Sequence, residues 1–307
     1  MPTKFLEGLG SKLVEQWAAT ILTPAFGFWL GGFIAGMQKF GWAGWQQWFT
    51  QLVEPLQIAV LITSLLLVAA SAFAIQRFDL VVLRWFEGYW PTWMNPLRHW
   101  LLTRQQQRLQ HLEQRWQTLA AQRDQTGRLT AAELDELVAI DWQLRQVPAD
   151  PARLMPTRLG NLLRAAESHP TTKYGLDAII CWPRLWLVLP DAVKKELQET
   201  RADLNTAARV WLWGMLFAVW SIWAWWPLPI ALLVTLFAHH WMLNAAATYG
   251  DLLESTFDLH RWELYKALHW PIPTNPSQER ESGCQLTEYL WRGSDRTHPE
   301  FIDPDNK

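Results

Sequence analysis

Three stretches of the chain carry no Asp, Glu, Lys or Arg: between Glu15 and Lys39, between Glu54 and Arg77, and between Arg209 and Asp251. A helix crosses a bilayer with roughly 17–25 mainly apolar residues, so the first two gaps hold one span each and the third holds two. The third gap contains VWLWGMLFAVWSIWAWWPLPIALLVTLFAHHWML, which has no charged side chain other than histidinium. Core helices of a soluble protein do not account for such a run. The pattern predicts an all-α, polytopic membrane protein with four transmembrane helices at about 18–37, 56–75, 206–226 and 229–249, and a cytoplasmic helical domain between the second and third.

The intervening segments have their own periods. Residues 41–51 set Trp42, Trp45, Trp48 and Phe49 against Gln46, Gln47 and Gln51, too short and polar to span and suited to lying in the interface. FDLVVLRWFEGYWPTW mixes aromatic and charged residues and is expected to follow the membrane surface. Asn95 before Pro96 reads as a cap and a first helical residue. Leu102, Leu109 and Trp116, with Leu112 and Leu119, then recur by sevens and predict one long amphipathic helix. A turn at 124–128 around Gly127 and the capping-box pair Thr130 and Glu133 open a second helix, making an antiparallel hairpin. Pro148, Pro151 and Pro156 end it.

WWPLP joins the last two spans tightly, so they should be antiparallel neighbours. The final span has no breaker until Pro271 and is expected to continue beyond the membrane as one long helix. The tail after it should be largely irregular, with a short helix across QLTEYLW. These features suggest four regions: 1–77, two membrane helices with an interfacial helix; 78–205, a cytoplasmic helical domain with surface segments; 206–268, a transmembrane hairpin extending into a cytoplasmic helix; and 269–307, a cytoplasmic tail. Loop 76–205 holds seventeen Lys and Arg, whereas loop 38–55 has Lys39 alone. Arg77 and Arg84 flank one end, and Lys194, Lys195, Arg201 and Arg209 the other. By the positive-inside rule both termini and the large domain are expected to face the cytoplasm.

Composition changes this picture little. A mean hydropathy of -0.07 averages over very uneven segments. The 23 tryptophans gather at predicted boundaries, as expected where a bilayer meets water. A net charge of -2 gives no case for a nucleic-acid partner, and two cysteines make no disulfide framework and no close cysteine–histidine zinc spacing. No cofactor is implied. The N-terminus lacks the short apolar core and processing site of a secretory signal.

Three residue sets are candidates for function. In GFWLGGFIAG, Gly27, Gly31, Gly32 and Gly36 place small residues on neighbouring turns and permit close approach of another helix. HHWMLNAAATYGDLLE begins with adjacent His239 and His240, about ten residues past Pro229 and so roughly 15 Å into a bilayer. Adjacent helical residues diverge by about 100°, so the two histidines serve different faces. His240, Asn244, Thr248 and Asp251 form one polar stripe, extended through Glu254 or Ser255 towards Asp258. Three roles stay open for it: an interhelical hydrogen-bond set, a lining for ions or protons, and a metal or haem ligand completed by a subunit neighbour or by His99. In the soluble region, Arg158, Asn161, Arg164, Asp177 and Arg184 offer contacts to an anionic headgroup or a subunit neighbour, or else pair internally. Gly175 suggests a turn or a close backbone approach, and Trp182-Pro183 a rigid bend.

PTRLGNLLRAAE, YGLDAIICWPRLW, YGDLLESTFDLHRWELYKALHWPIPT and QERESGCQLTEYLW resemble an uncharacterised family of bacterial integral membrane proteins. The resemblance covers about residues 156–291 and implies membrane placement; it brings no activity or catalytic residue with it.

An enzyme needs a converging nucleophile, base or metal. The carboxylates are dispersed, and no P-loop, dinucleotide fingerprint or nucleophile elbow occurs. A carrier would show internal repeats or broken helices, which are not evident. Two readings remain. In the first, a homo-oligomeric channel-like protein passes small cations, with Asp251, Glu254 and Asp258 supplying a negative field. In the second, the cytoplasmic hairpin serves as a scaffold for a protein partner. Both include membrane lipids as partners.

Overall fold

The computed structural model describes residues 23–294 and 298–302, and every regular element among them is helical. Residues 1–22, 295–297 and 303–307 lie outside the described residues, and with them the first five of the expected span 18–37. In order, α1 occupies residues 23–40, α2 Trp42–Gln51, α3 Glu54–Gln76, α4 Asp79–Glu87, α5 Asn95–Thr126 and α6 Ala131–Arg145. They are followed by α7 Arg158–Tyr174, α8 Ala178–Val188, α9 Asp191–Phe217, α10 Pro227–Ala267 and α11 Pro276–Arg292. The chain forms two compact units. One holds the described residues up to Leu83 with 202–242; the other holds 84–201 with the described residues from Leu243 onward.

Among the described residues, two helices are long and apolar enough to cross a membrane: α3, whose most apolar stretch has mean hydropathy 2.6, and α10, where it is 1.4. The expected 206–226 span takes a different form. α9 brings Asp203 and Arg209 into its apolar end, and after Phe217 the chain tightens into a 3-10 turn over Ala218–Ile222. A 3-10 turn has three residues per turn, so side chains three apart eclipse. Phe217, Trp220 and Trp223 consequently form one row. That row fills the glycine face of α1: a Cβ added at Gly31 would strike Phe217, one at Gly32 would strike Trp220, and one at Gly36 would lie 3.4 Å from Trp223. Gly31, Gly32 and Gly36 thus receive aromatic rings from the same chain rather than a bare helix backbone, while an added Cβ at Gly27 would meet nothing within 4 Å among the described residues.

The expected antiparallel pair at the end of the first unit is present. Gly214 on α9 lies so close to Thr235 on α10 that an added Cβ would sit 3.0 Å from its side chain and 3.3 Å from its backbone nitrogen. Further along the same two helices, the Trp241 indole N–H donates to Asp203 at 3.1 Å. Trp29 donates to Ser71 Oγ at 3.0 Å and ties α1 to α3. Arg209, expected as a flanking charge, is instead buried, and its guanidinium grips Asp79 at 3.2 and 2.5 Å.

In the second unit the hairpin follows the pattern expected from sequence. α5 runs unbroken to Thr126, Gly127 ends it with a left-handed backbone (φ +67), and the Thr130–Glu133 capping box is made in both directions. Leu119, Leu137 and Ile140 form its core. Arg108 to Gln143, Arg115 to Glu136 and Gln122 to Glu133 add one polar rung per heptad of α5.

Three local expectations change. Asn95 is the first residue of α5 rather than its cap, because the 3-10 turn Thr92–Met94 runs directly into the helix. Pro183 lies inside α8 rather than between elements. The segment after Pro271 is not largely irregular: α11 spans 17 residues, capped by Asn275, whose side chain accepts from Gln278 N at 3.0 Å, with Pro276 in its first turn. α11 is held because Gly283 meets the Tyr174 carbonyl and Gly175 (φ +72) meets the Arg280 carbonyl, approaches that a Cβ at either position would block. Leu286 joins Leu176, Cys181, Leu185, Phe257 and Leu264 in the main core of this unit.

Candidate functional site

The polar stripe on α10 divides in two. His240, Asn244, Thr248, Asp251 and Ser255 are all exposed in the single chain. Part of their polarity is met locally: the His240 ring lies 2.9 Å from the Leu236 carbonyl through Nδ1, and Thr248 donates to the Asn244 carbonyl at 3.1 Å. The rings of His239 and His240 stand edge to face with centroids 6.1 Å apart. Among the described residues, no three His, Cys, Asp or Glu side chains converge as a metal site.

Glu254 and Asp258 leave this exposed row for the facing helix. α7 and α10 meet where Gly250 lies against Ala166; an added Cβ would be 3.1 Å from the alanine methyl. One turn onward, that close approach lets Glu254, 5% exposed, receive the His169 ring at 2.9 Å and Lys173 Nζ at 2.5 Å. Arg145, at the end of α6, adds a third contact at 3.4 Å. Another turn on, Asp258 accepts from the Tyr174 hydroxyl at 2.6 Å and lies 3.5 Å from Lys173. Arg261 completes the row: its guanidinium stacks over the Tyr174 ring at 4.2 Å and donates to Glu279 on α11 at 2.6 Å.

Electrostatics follow this geometry. Burial pushes the Glu254 carboxyl up, but the hydrogen bonds and charges of Lys173 and His169 outweigh it and hold the group at about 2. Burial, with the bond to Asp258, pushes Tyr174 up to about 12. Burial likewise pushes the Cys181 thiol up to about 11, so it lacks the thiolate character of a nucleophile. Trp142, Arg145, His169, Gly250, Asp251 and Glu254 border a cleft of about 30 Å³, room for a water or two. The arrangement can clamp helices; the cleft itself is no substrate-sized chamber.

The third candidate set does not converge. Asn161 is buried, accepts from Met155 N at 2.8 Å and donates to Gln105 at 2.7 Å. Arg164 donates to the Tyr89 hydroxyl at 2.6 Å and pairs with Glu167 at 3.3 Å. Asp177 caps α8 by accepting from Ile179 N and Ile180 N. Arg184 donates to its own helix at Ile180 O, and Arg158 is exposed at the start of α7.

Sequence reasoning missed His169, Lys173, Tyr174, Arg145, the Asp79–Arg209 pair and Gly214. A signal existed for the first two: His169 and Lys173 are four residues apart, as are Glu254 and Asp258, so two helices can present matching rows of opposite charge. No family model matches the chain, and neither the curated proteins nor the solved structures provide a match.

Proposed function

We propose that the protein is a homo-oligomeric, channel-like protein of the bacterial inner membrane, with four membrane crossings and both termini and the 78–205 region in the cytoplasm. The observation that carries this reading is the exposure of His240, Asn244 and Thr248 on one side of a mainly apolar helix, with Asp251 exposed just past its apolar part. Polar groups at such a depth are costly against lipid and are accommodated by a water-lined path or a neighbouring copy. The commitment of Glu254 and Asp258 to cations and to Tyr174 narrows the source of any cation preference to Asp251. The same commitment favours a non-enzymatic role, since it gives those carboxylates a structural task. The resemblance over 156–291 agrees with membrane placement and adds no chemistry.

The test is single-channel recording from the reconstituted full chain. Asn244→Leu should lower conductance, and Asp251→Asn should shift the reversal potential in asymmetric salt towards weaker cation preference. Wild type that carries no current across voltage, tension and pH would remove the reading. Cysteine labelling in intact cells tests the orientation: sites at 42–50 should label and sites in α5 and α6 should not.

A membrane scaffold is the second reading, favoured by one observation. The hairpin exposes Trp100, Leu134, Val138 and Trp142, more apolar surface than an isolated solvated hairpin requires. A cytoplasmic protein partner held on that surface would lose affinity on Trp142→Ala and Val138→Ser.

A further inference from the structure

The second unit contains a larger cavity, distinct from the α10 stripe and from the Glu254 clamp. It is about 370 Å³, lies among α5, the end of α6 and the start of α7, and is lined by Arg108, Gln146, Arg158 and Asn161 over an apolar floor that includes Leu109 and Leu112. We infer that this cleft binds a phosphate ester carried on a small, partly apolar group.

Charge selects the ligand class. Two guanidinium groups line the cavity and no carboxylate does. Four arginines elsewhere are matched with acids: Arg115 with Glu136, Arg145 with Glu254, Arg209 with Asp79 and Arg261 with Glu279. Arg108 and Arg158 are not among the matched ones, and here two such guanidinium groups share one cavity. Arginine forks suit phosphate oxygens in a two-pronged way, and a doubly charged phosphate answers two of them better than a single carboxylate does.

Arg108 and Arg158 are exposed, and the wall between them is fixed by hydrogen bonds. Asn161 is 2% exposed and is locked by Met155 N and by Gln105, whose own amide donates to the Pro156 carbonyl at 3.3 Å. Arg108 is steadied by Gln143 at 3.1 Å. Thr157 caps α7, so the positive end of a 17-residue helix lies beside Arg158 and adds to the field. The leucine floor gives a nonpolar portion of the ligand somewhere to rest, the usual division of labour in small-molecule sites. A soluble metabolite and a lipid headgroup both present this chemistry.

Calorimetric titration of the full chain in neutral detergent tests the inference, with adenosine monophosphate, inorganic phosphate, adenosine and dihexanoyl phosphatidylglycerol as probes. Adenosine monophosphate should bind, inorganic phosphate should compete, and Arg158→Gln should weaken binding by about tenfold through loss of one charge-assisted contact. Arg108→Gln should act likewise, and Arg158 is the cleaner variant because it makes no fold-holding bond of the kind Arg108 makes to Gln143. Binding of the short-chain lipid alone, weakened by the same substitutions, would assign the site to a headgroup and support the shared chemistry. Adenosine binding as tightly as its phosphate, no binding of any probe at millimolar concentration, or affinities unchanged in both variants would each overturn it.

Discussion

α3 and the charged part of α10 are both unbroken helices, yet they turn opposite faces of their chemistry inward. α3 buries Ala72 alone and exposes Leu61, Ile62, Leu65 and Leu66, with 6% of its most apolar stretch buried. Beyond Gly250, α10 buries Leu253, Glu254, Phe257, Leu264 and Tyr265 and exposes Asp251. A helix that shows leucine on nearly every side calls for an apolar surrounding medium, whereas a helix with an apolar core and a charged clamp suits water. The contrast teaches that hydrophobic content alone does not separate the two regions. The direction in which apolar surface points does, and it divides the chain into its two units more sharply than composition does.

The buried ion pair of the first unit offers the strongest way to break this contrast. Asp79→Asn leaves Arg209 buried without its counter-charge, and removing one partner of such a pair costs about 3–5 kcal/mol. The unfolding midpoint of the detergent-purified chain should fall accordingly, and Asp79→Leu with Arg209→Met should recover part of the loss. Equal stability of Asp79→Asn and wild type would mean that this pair does not hold α4 against α9.

Glu254→Gln should have the next largest effect, on the order of 2–3 kcal/mol, because the partners of Glu254 keep some access to water. Its folded carboxyl titrates at about 2, below the ordinary 4.5, so the unfolded chain takes up the proton first as pH falls. Stability from this group is therefore complete above about pH 5 and is lost progressively towards pH 2. Unfolding midpoints measured across that window should slope in wild type and slope less in Glu254→Gln.

Gly32→Leu forces an isobutyl group into the Trp220 ring and should cost about 1–3 kcal/mol by overpacking. Trp220→Ala in the same chain should relieve much of that strain, seen as a partial return of the unfolding midpoint. Gly27→Leu sharpens the comparison at the smallest scale. With nothing within 4 Å among the described residues, it should change stability by no more than about 0.5 kcal/mol. Native mass spectrometry then reads whether the substitution alters subunit number; a change would place Gly27 between copies.

Much of the local structure was legible in sequence because its causes are local. The heptad run to Leu119, the turn at Gly127 and the Thr130–Glu133 box each depend on residues within a few positions. α11 was under-read although Asn275, Pro276 and Glu279 supplied a start signal, because it is held where Gly283 meets the end of α7 at Tyr174 and Gly175 meets Arg280 of α11, across more than a hundred residues. The candidate site was half legible. His240, Asn244, Thr248 and Asp251 share a face by helical arithmetic alone, but that arithmetic also allowed Glu254 into the row. Gly250 decided otherwise by admitting α7 close enough for His169 and Lys173 to draw the carboxylate inward.

The sequence by itself determined the helical class, the uncharged stretches, the hairpin and its caps, and the small residues on α1, because periodicity, charge spacing and capping act over a turn or two. Only the tertiary structure decided that Arg209 pairs with Asp79, that a row of Phe217, Trp220 and Trp223 fills the α1 glycines, and that Glu254 and Asp258 clamp α7 rather than face outward. Those outcomes join residues far apart in the chain, and they turn on which helix approaches closely enough for an aromatic ring to seat or a charge to find its partner.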